Sequence, residues 1–399
     1  MRHAIPRLPV FDWGTFFEGK VSPTPCLLTH PTAQLTVSGR ASILLALEML
    51  KVGPGDKVLV PTYHCLTMIA PIEALNAQAV FYPIDATGAP DLRWIEQHHT
   101  SDTRAILVAH FFGLPQALTN IRQWCDQKGV RLIEDCAHSL FGMSGERAVG
   151  RWGDLAIASL TKFLPVPQGG CLVDNLVSAP LPPLQQPSIK SQLKAGFDII
   201  HAGVIHGRLK GLGTLVNGTN QLRSMFKSKP IDEPTQPVDL PSDGFTIDVA
   251  QAHLELTAAS RWIAQHAPRA RIVDRRRANY QFFAHVFSGV PGMHSLLPRL
   301  PDHCAPYVFP IWVDHPDPGY AELRRLEFPV SRWDRLWPTV AHIDGDFGIS
   351  WSHHVLQLAC HQDLTANELR SMIVTLKKIY ARPHAQSNPH NALPCHGCS

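Results

Sequence analysis

A lysine that follows a short apolar segment is the residue with the clearest chemical potential in this sequence. Residues 155–159 have the length and composition of a buried strand, and Lys162 follows them in a turn that closes at Gly169 and Gly170. Ligand sites in open α/β sheets lie at the carboxyl ends of the strands. A lysine held there, partly out of water, is a usable nucleophile or Schiff-base former. The alternative is an ordinary surface lysine in a turn after a strand.

Polar side chains also follow other predicted strands. Short apolar segments at residues 57–61, 104–110 and 130–135 alternate with helical patterns. Such alternation predicts a mostly parallel sheet with helices on both faces, whose strands end at a common edge. We therefore expect the polar residues that follow these strands to gather at one rim near Lys162. They are His64, His110, Asp135 and His138.

A predicted helix begins with small residues and could bind an anion. Ser38, Gly39 and Arg40 precede a segment with apolar residues at helical spacing. A helix N-terminus without bulky side chains exposes unpaired N–H groups and the positive end of the helix dipole, which together bind phosphate. The alternative is an ordinary helix capped by Ser38.

These features together describe one cofactor. A buried carboxylate such as Asp135 is costly unless it faces a cation, and a protonated pyridine nitrogen supplies one. Lys162 can form an imine, the helix N-terminus can hold a phosphate, and an aromatic side chain near His64 can lie on a flat ring. The combination predicts pyridoxal 5'-phosphate (PLP), which depends on a Schiff-base lysine and an acidic partner for its ring nitrogen.

The sequence resembles the DegT/StrS family of PLP-dependent sugar aminotransferases, which have the aspartate-aminotransferase-type fold. The similarity covers residues 37–173 and 247–379. The motifs that carry it are Ser38-Gly39-Arg40, Pro54-Gly55-Asp56 with Val60-Pro61, Glu134-Asp135-Cys136-Ala137-His138, Gly150 with Gly153-Asp154, Ser159 through Gly170, Arg275 through Tyr280, Leu336-Trp337-Pro338, and Leu358 through Leu364.

The resemblance implies roles for individual residues. Lys162 would form the Schiff base with PLP and then move protons between the substrate carbon and the cofactor. Asp135 would keep the ring nitrogen protonated, and His138 would lie beside the ring or the phosphate. His64 is the first choice to stack on the ring, with its neighbours as alternatives. The two neighbours that could stack on the ring instead of His64 are Tyr63 and Cys65. The residues near the phosphate would be Ser159, Gly39 and Arg40.

Three features depart from the family pattern. The segment from Ser159 to Lys162 is shorter than usual, and Gln168 stands where an acidic residue often precedes the two glycines. An Asn-x-Arg segment that often reaches into the neighbouring subunit's site is not recognisable around residues 244–247. These departures bear on the phosphate contacts and on the substrate class.

Composition excludes several other classes of protein. The 399 residues are 45% hydrophobic and 17% charged, with a net charge of +3 and no basic stripe interleaved with aromatic residues, so nucleic-acid binding is not expected. No signal peptide or membrane-spanning run is recognisable, and we expect a cytoplasmic protein. Nine irregularly spaced cysteines fit reduced thiols. Cys395 and Cys398 have metal-ligand spacing, but we interpret them as part of a frayed terminus and expect no metal site.

These patterns divide the chain into five parts. We predict an N-terminal arm at 1–30, a large PLP-binding domain at 31–175, a linker and amphipathic helical insertion at 176–245, a smaller C-terminal α/β domain at 246–382, and a flexible tail at 383–399. The predicted fold is that of the type I PLP-dependent transferases. The insertion could be a lid, a partner surface or a membrane contact, and we favour an insertion packed on its own subunit.

Sequence patterns in the C-terminal part are less specific. A long helix is predicted from Val249 through Trp262, and the arginines of residues 269–277 are typical of a solvated or salt-bridged helix face. Trp333 and Trp337 could line a substrate pocket, although at least one is expected in the core.

The resemblance implies an aminotransferase that takes its amino group from an amino acid, with glutamate favoured, and gives it to a nucleotide-linked keto-sugar. It also implies a homodimer. One alternative is a PLP-dependent sugar dehydratase or lyase, but such family members commonly replace the lysine by histidine, and Lys162 argues against it. The other is an inactive family member that acts as a binding or regulatory protein.

Overall fold

The computed structural model describes residues 4–16, 23–177, 180–212 and 244–380. Its strands are β1 (Gln34–Thr36), β2 (Lys57–Pro61), β3 (Gln78–Tyr82), β4 (Thr103–Ala109), β5 (Arg131–Asp135), β6 (Met143–Ser144), β7 (Arg147–Ala148), β8 (Leu155–Ser159), β9 (Gly170–Asp174), β10 (Met293–Ser295), β11 (Val308–Val313), β12 (Val330–Ser331) and β13 (Val355–Ala359).

Helices connect and cover these strands. They are α1 (Trp13–Phe16), α2 (Gly39–Met49), α3 (Leu66–Ala74), α4 (Leu92–His98), α5 (Thr119–Lys128), α6 (Ile189–Ile205), α7 (Val249–Ala252), α8 (Ala258–His266), α9 (Arg269–Val286), α10 (Gly319–Arg325), α11 (Gly348–His354) and α12 (Ala366–Tyr380), with short 3-10 turns at Leu27–Thr29 and Phe111–Gly113.

The larger sheet has seven strands in the order β1-β9-β8-β5-β4-β2-β3. The five strands from β8 to β3 are mutually parallel, whereas β9 and β1 run antiparallel to their neighbours. Strands β4 and β5 are almost wholly buried, because helices cover both faces of the sheet. The predicted mostly parallel sheet is therefore confirmed, and the ends of β2, β4, β5 and β8 meet at one edge.

A second sheet follows in the C-terminal part of the chain. Its four strands are antiparallel in the order β10-β11-β13-β12. The two sheets share one hydrophobic core, which includes Leu107 and Ile133 from the larger sheet and Phe309 and Leu356 from the smaller one. The shared core fixes the C-terminal sheet and its helices against the larger sheet.

The strands predicted at 57–61, 104–110, 130–135 and 155–159 begin and end within one residue of β2, β4, β5 and β8. In the C-terminal part, the prediction of one long helix from Val249 through Trp262 is wrong. The structure has two helices there, α7 and α8, separated by residues 253–257. The backbone of Leu254 and Glu255 pairs with Gln185 and Thr36 instead of continuing α7, so a new helix begins after Thr257.

The predicted arm, insertion and tail are described only in part. Within the arm, α1 and one 3-10 turn are the regular elements of the described residues. Within the insertion, α6 packs through Ala195 and Ile199, while Ile189 and Leu193 on another face are exposed. Residues 213–243 of the insertion and the whole tail, including Cys395 and Cys398, lie outside the described residues. The division into these five parts stays a prediction.

Two general expectations can be compared with the described ranges. The seven cysteines in them form no disulfide, and six of the seven are buried. None of the helices in these ranges combines the length and the apolarity needed to cross a bilayer.

Candidate active site

A cavity of about 520 Å³ opens at the edge where the parallel strands end. The N-terminus of α2 and the loop after β8 form two of its walls, and residues 246–252 and Trp333 come from the C-terminal part. The predicted site residues that line it are Gly39, Arg40, Asp135, His138, Ser159 and Lys162, and His110 lines it as well. Six of the seven residues predicted to bind or act on a cofactor are thus brought together.

Lys162 lies in a tight turn directly after β8. Backbone hydrogen bonds from Phe163 and Leu164 to the carbonyl oxygen of Leu160 close this turn. Lys162 Nζ lies 5.4 Å from the centre of the Tyr307 ring. The turn therefore presents the amine to the cavity over an aromatic face, where water is partly excluded.

Asp135 ends β5 and is buried at the same edge. Burial raises the pKa of its carboxyl group, while the Ala137 N–H and the positive charge of Lys162 oppose this rise. Among the described residues, the Asp135 carboxylate accepts one hydrogen bond, from Ala137 N at 2.8 Å. Asp135 thus keeps acceptor capacity directed at the cavity and lies close enough to Lys162 for their charges to interact.

The anion end of the cavity is formed by the start of α2. Ser38 caps this helix, and its Oγ accepts a hydrogen bond from Ala41 N at 3.1 Å. A Cβ atom on Gly39 would lie 3.1 Å from Cβ of Ser159, so any other residue there would have to move α2 or Ser159 by a few tenths of an ångström. The backbone N–H groups of the first turn and the hydroxyls of Ser159 and Thr161 consequently share one small region.

Arg40 joins this region to the C-terminal part of the chain. Its Nη1 donates a hydrogen bond to the carbonyl oxygen of Thr246 at 2.8 Å. Thr246, Ile247 and Asp248 line the cavity although they lack the Asn-x-Arg pattern. Residues 246–248, which lack the Asn-x-Arg motif, therefore line the cavity of their own chain.

His138 presents a hydrogen-bond donor to the site. Its Nδ1 accepts the Phe112 N–H at 3.2 Å, so the proton of the neutral ring is on Nε2. Burial lowers the pKa of His138 well below its usual range, and the charge of Lys162 lowers it further. The ring lies 4.6 Å from the Tyr307 ring and 5.1 Å from the Trp333 ring, which fixes its orientation.

The prediction that His64 stacks on a cofactor ring is wrong. His64 is fully buried outside the cavity, with its ring 5.0 Å from that of Phe81. Both ring nitrogens are engaged, since Nε2 accepts the Trp337 N–H at 3.0 Å and Nδ1 lies 3.1 Å from the Pro61 carbonyl oxygen. The next residue, Cys65, lines the cavity instead.

Tyr63, the other alternative, is also in the core. Its hydroxyl accepts a hydrogen bond from Gln357 Nε2 at 3.1 Å, and its ring packs against Phe111 and Trp351. Trp333 lines the cavity, whereas Trp337 packs on Phe245 outside it. Tyr63 and His64 both lie in the core and Cys65 lines the cavity, so a shift of one position in this loop decides between core and cavity.

Two residues that complete the site were not predicted from the sequence. Tyr307 lies under the Lys162 amine, and Arg276 donates a hydrogen bond to the Lys162 carbonyl oxygen at 2.7 Å. Arg276 was assigned to a solvated or salt-bridged face, but it is wholly buried. Arg276 lies in the motif from Arg275 through Tyr280, but the motif does not indicate its contact with Lys162, and Tyr307 lies in no motif. Both meet Lys162 across more than one hundred positions of sequence.

A buried group of potential metal ligands lies beneath the cavity. Ligand atoms of His110, Glu134 and Cys136 are all within 4.8 Å of one another. The Glu134 carboxylate accepts hydrogen bonds from His110 Nε2 and from the backbone N–H groups of Gly150, Trp152 and Gly153 at 2.7 to 3.1 Å. These bonds account for the cluster without a cation.

The cavity fits PLP in the chemistry of its donors and acceptors. Asp135 offers a carboxylate with spare acceptor capacity, Lys162 an amine in the same cavity, and the start of α2 the N-terminus of a helix that lines the cavity. Together with the mostly parallel seven-stranded sheet, this arrangement defines the type I PLP-dependent transferase fold.

Comparison with known proteins finds a family resemblance over part of the chain. Residues 27–176 match the model of the DegT/DnrJ/EryC1/StrS aminotransferase family, which confirms the resemblance noted in the sequence. A solved structure of NtdA from Bacillus subtilis with bound PMP has a similar fold, with a TM-score of 0.57 at 15% identity, covering 88% of this chain and 73% of that one.

Two curated relatives are similar over a limited segment. The first is UDP-N-acetyl-3-dehydro-alpha-D-glucosamine 3-aminotransferase of Acidithiobacillus ferrooxidans, 37% identical over 31% of this chain. The second is dTDP-4-dehydro-2,3,6-trideoxy-D-glucose 4-aminotransferase of Saccharopolyspora spinosa, 35% identical over 33% of this chain. The matched segment spans only 33% and 35% of these two proteins.

Proposed function

We propose that this protein is a PLP-dependent aminotransferase that moves an amino group from an amino acid to the ketone of a nucleotide-linked sugar. The observation that carries the proposal is the meeting of Lys162, Asp135 and the start of α2 in one cavity. The similarity to enzymes named as aminating UDP-linked and dTDP-linked keto-sugars supports the acceptor class. Glutamate as donor, a homodimer and a cytoplasmic location stay predictions from the sequence.

Each residue has a role that follows from its position. When bound, PLP supplies an aldehyde for the amine of Lys162 and an electron-withdrawing ring. Asp135 holds the proton on the ring nitrogen, since its carboxylate is desolvated and faces few other donors. The N–H groups at the start of α2, with Ser159 and Thr161, bind the phosphate.

Two other residues orient and exchange protons. With PLP held in the cavity, Lys162 Nζ would be the base that takes a proton from the substrate carbon and gives it back, because its amine faces the same cavity. His138 Nε2–H donates to an oxygen of the bound cofactor or substrate, because its other nitrogen is occupied by the Phe112 N–H. Trp333 lines the same cavity, with its ring 5.1 Å from the His138 ring, and covers part of the site with an apolar surface.

Absorbance spectroscopy of the purified protein tests the proposal. We expect a visible band with PLP in the wild type and its conversion on addition of glutamate. Lys162→Ala should lose the band and slow transamination by roughly 10²- to 10⁴-fold, as expected for loss of the catalytic base. Lys190→Ala, which removes an exposed lysine on α6, should behave like the wild type and serves as the control.

The outcomes separate the alternatives. A band that glutamate and other amino acids leave unchanged would indicate a different PLP reaction such as dehydration. If the wild type does not bind PLP, the remaining alternative is an inactive family member that acts as a binding or regulatory protein. UDP-linked and dTDP-linked keto-sugars, each compared with the free keto-sugar, then test the acceptor, because only a nucleotide-dependent enzyme distinguishes the two forms.

A further inference from the structure

Arg276 is an unusual residue, because its guanidinium group is wholly buried on α9 without a described carboxylate as an ion-pair partner. Burial lowers its pKa to about 10, so it remains a cation at neutral pH. A buried charge without a counterion is costly unless hydrogen bonds compensate it. Arg276 is therefore expected to satisfy a specific structural need.

Four hydrogen bonds show what that need is. Arg276 Nη2 donates to the Lys162 carbonyl oxygen at 2.7 Å, and Nη1 donates to the carbonyl oxygens of Pro306 and Tyr307 at 2.9 and 3.0 Å. Nε donates to Gln362 Oε1 at 2.8 Å. One planar group thus holds the backbone of the residue that carries the amine and the backbone of the residue whose ring lies under it.

Gln362 holds the peptide unit that follows Lys162 in the turn. Its Nε2 donates to the Phe163 carbonyl oxygen at 2.9 Å, while its Oε1 accepts from Arg276. The guanidinium also lies 4.5 Å from the centre of the Phe163 ring. Two consecutive carbonyl groups of the Lys162 turn are therefore held by side chains from α9 and from the segment after β13.

We propose that Arg276 and Gln362 are positioning residues that hold the Lys162 turn so that the amine lies over the Tyr307 ring and reaches the cofactor aldehyde. This inference rests on the proposed function, because it concerns attachment of PLP to Lys162. The phosphate site at the start of α2 does not depend on Arg276. Loss of the arginine should thus impair covalent attachment more than binding.

A lysine at position 276 tests this idea, since it keeps the charge but cannot make the planar set of hydrogen bonds. Total bound PLP is measured after gel filtration, and the attached portion is measured as PLP trapped on the Lys162 peptide by borohydride. In Arg276→Lys we expect the ratio of attached to unattached PLP to fall about tenfold, the effect of losing one hydrogen bond to a charged group.

Arg271→Lys is the matched control. Arg271 lies on the same helix and contacts the same C-terminal segment through Asp363, at 2.7 Å, and the Gln362 carbonyl oxygen, at 3.2 Å. No described hydrogen bond joins it to the Lys162 turn. We expect it to lower the melting temperature as Arg276→Lys does while leaving the attached-to-unattached ratio at the wild-type value.

A second variant covers the case in which Arg276→Lys fails to fold. Gln362→Glu keeps the size and the acceptor for Arg276 but removes the donor to the Phe163 carbonyl oxygen, and it should lower the same ratio by a few-fold. If Arg276→Lys folds and shows the wild-type ratio, the inference is wrong and the proposed function stands. If Arg276→Lys does not fold, a wild-type ratio in folded Gln362→Glu leads to the same conclusion. If the wild type itself traps no PLP at Lys162, the proposed function fails instead.

Discussion

The two sides of strand β5 carry adjacent carboxylates with opposite properties. Glu134 points to the side of the sheet where His110 and three backbone N–H groups surround it, and these donors lower its pKa despite full burial. Asp135 points to the cavity, receives a hydrogen bond from Ala137 N, and has a raised pKa because of burial. Burial is nearly the same, so the number of donors makes the difference.

This difference separates a structural acid from a functional one. The hydrogen bonds of Glu134 tie β5 to residues 150–153, and none of its acceptor capacity is directed at the cavity. Asp135 retains the capacity to bind a cationic group from a ligand. Replacing each acid by its amide should therefore affect different properties of the protein.

Asp135→Asn should have the larger effect on activity. An amide does not hold a proton on the ring nitrogen, so we expect transamination to fall roughly 10²-fold or more, in the range of losing an acid-base contribution. PLP should still be trapped on Lys162. Rates with glutamate, normalised to bound PLP, provide the measurement, and a normal rate would remove Asp135 from the proposed mechanism.

Glu134→Gln should have the larger effect on stability. The amide loses the charge that accepts hydrogen bonds from His110 Nε2 and three backbone N–H groups, and weakening hydrogen bonds to a buried charged group costs about 2 kcal/mol. The folded fraction should keep its activity per bound PLP. Denaturant unfolding of the protein without cofactor measures the loss, and equal stability of variant and wild type would contradict the structural role.

The two variants should respond to pH with opposite signs. Glu134 has a lowered pKa, so its contribution to stability is present above its ordinary pKa of 4.5 and is lost as the pH falls. Asp135 has a raised pKa, so ionisation destabilises the cofactor-free protein as the pH rises above its ordinary value of 3.8.

At neutral pH, cofactor-free Asp135→Asn should therefore be more stable than the wild type, and this difference should shrink as the pH falls towards 3.8. Glu134→Gln should be less stable, and its difference should shrink only below pH 4.5, because the pKa of Glu134 is lowered. Melting temperatures of the three proteins between neutral and acidic pH test this. If the difference in melting temperature between a variant and the wild type grows on acidification, the pKa of the replaced acid is shifted in the opposite direction.

A smaller effect is expected at the start of α2. Gly39→Ala places a Cβ atom 3.1 Å from Cβ of Ser159, which must shift the phosphate region, whereas a Cβ at Gly53 meets no atom within 4 Å. We expect Gly39→Ala to raise the dissociation constant for PLP a few-fold, or about 1 kcal/mol, and Gly53→Ala to leave it unchanged. Equilibrium titration with PLP measures both, and equal constants would place the phosphate elsewhere.

The amino-acid sequence by itself determined the elements and the residues that local motifs mark. Apolar periods of two and 3.6 residues fixed the parallel strands, their helices and the common edge, and therefore the meeting of Asp135 and Lys162. The start of α2 was predictable for the same reason, because capping by Ser38 and the small size of Gly39 are local properties.

Only the tertiary structure decided which side chains face the cavity and which support them. Cys65 rather than His64 faces it, because contacts of the loop after β2 with distant residues, Trp337 at His64 and Gln357 at Tyr63, hold those two side chains in the core. Arg276 is buried rather than solvated because carbonyl groups of Lys162 and Tyr307, distant in sequence, converge on its guanidinium. Such convergence depends on how the two sheets pack, and a local pattern in the chain does not encode it.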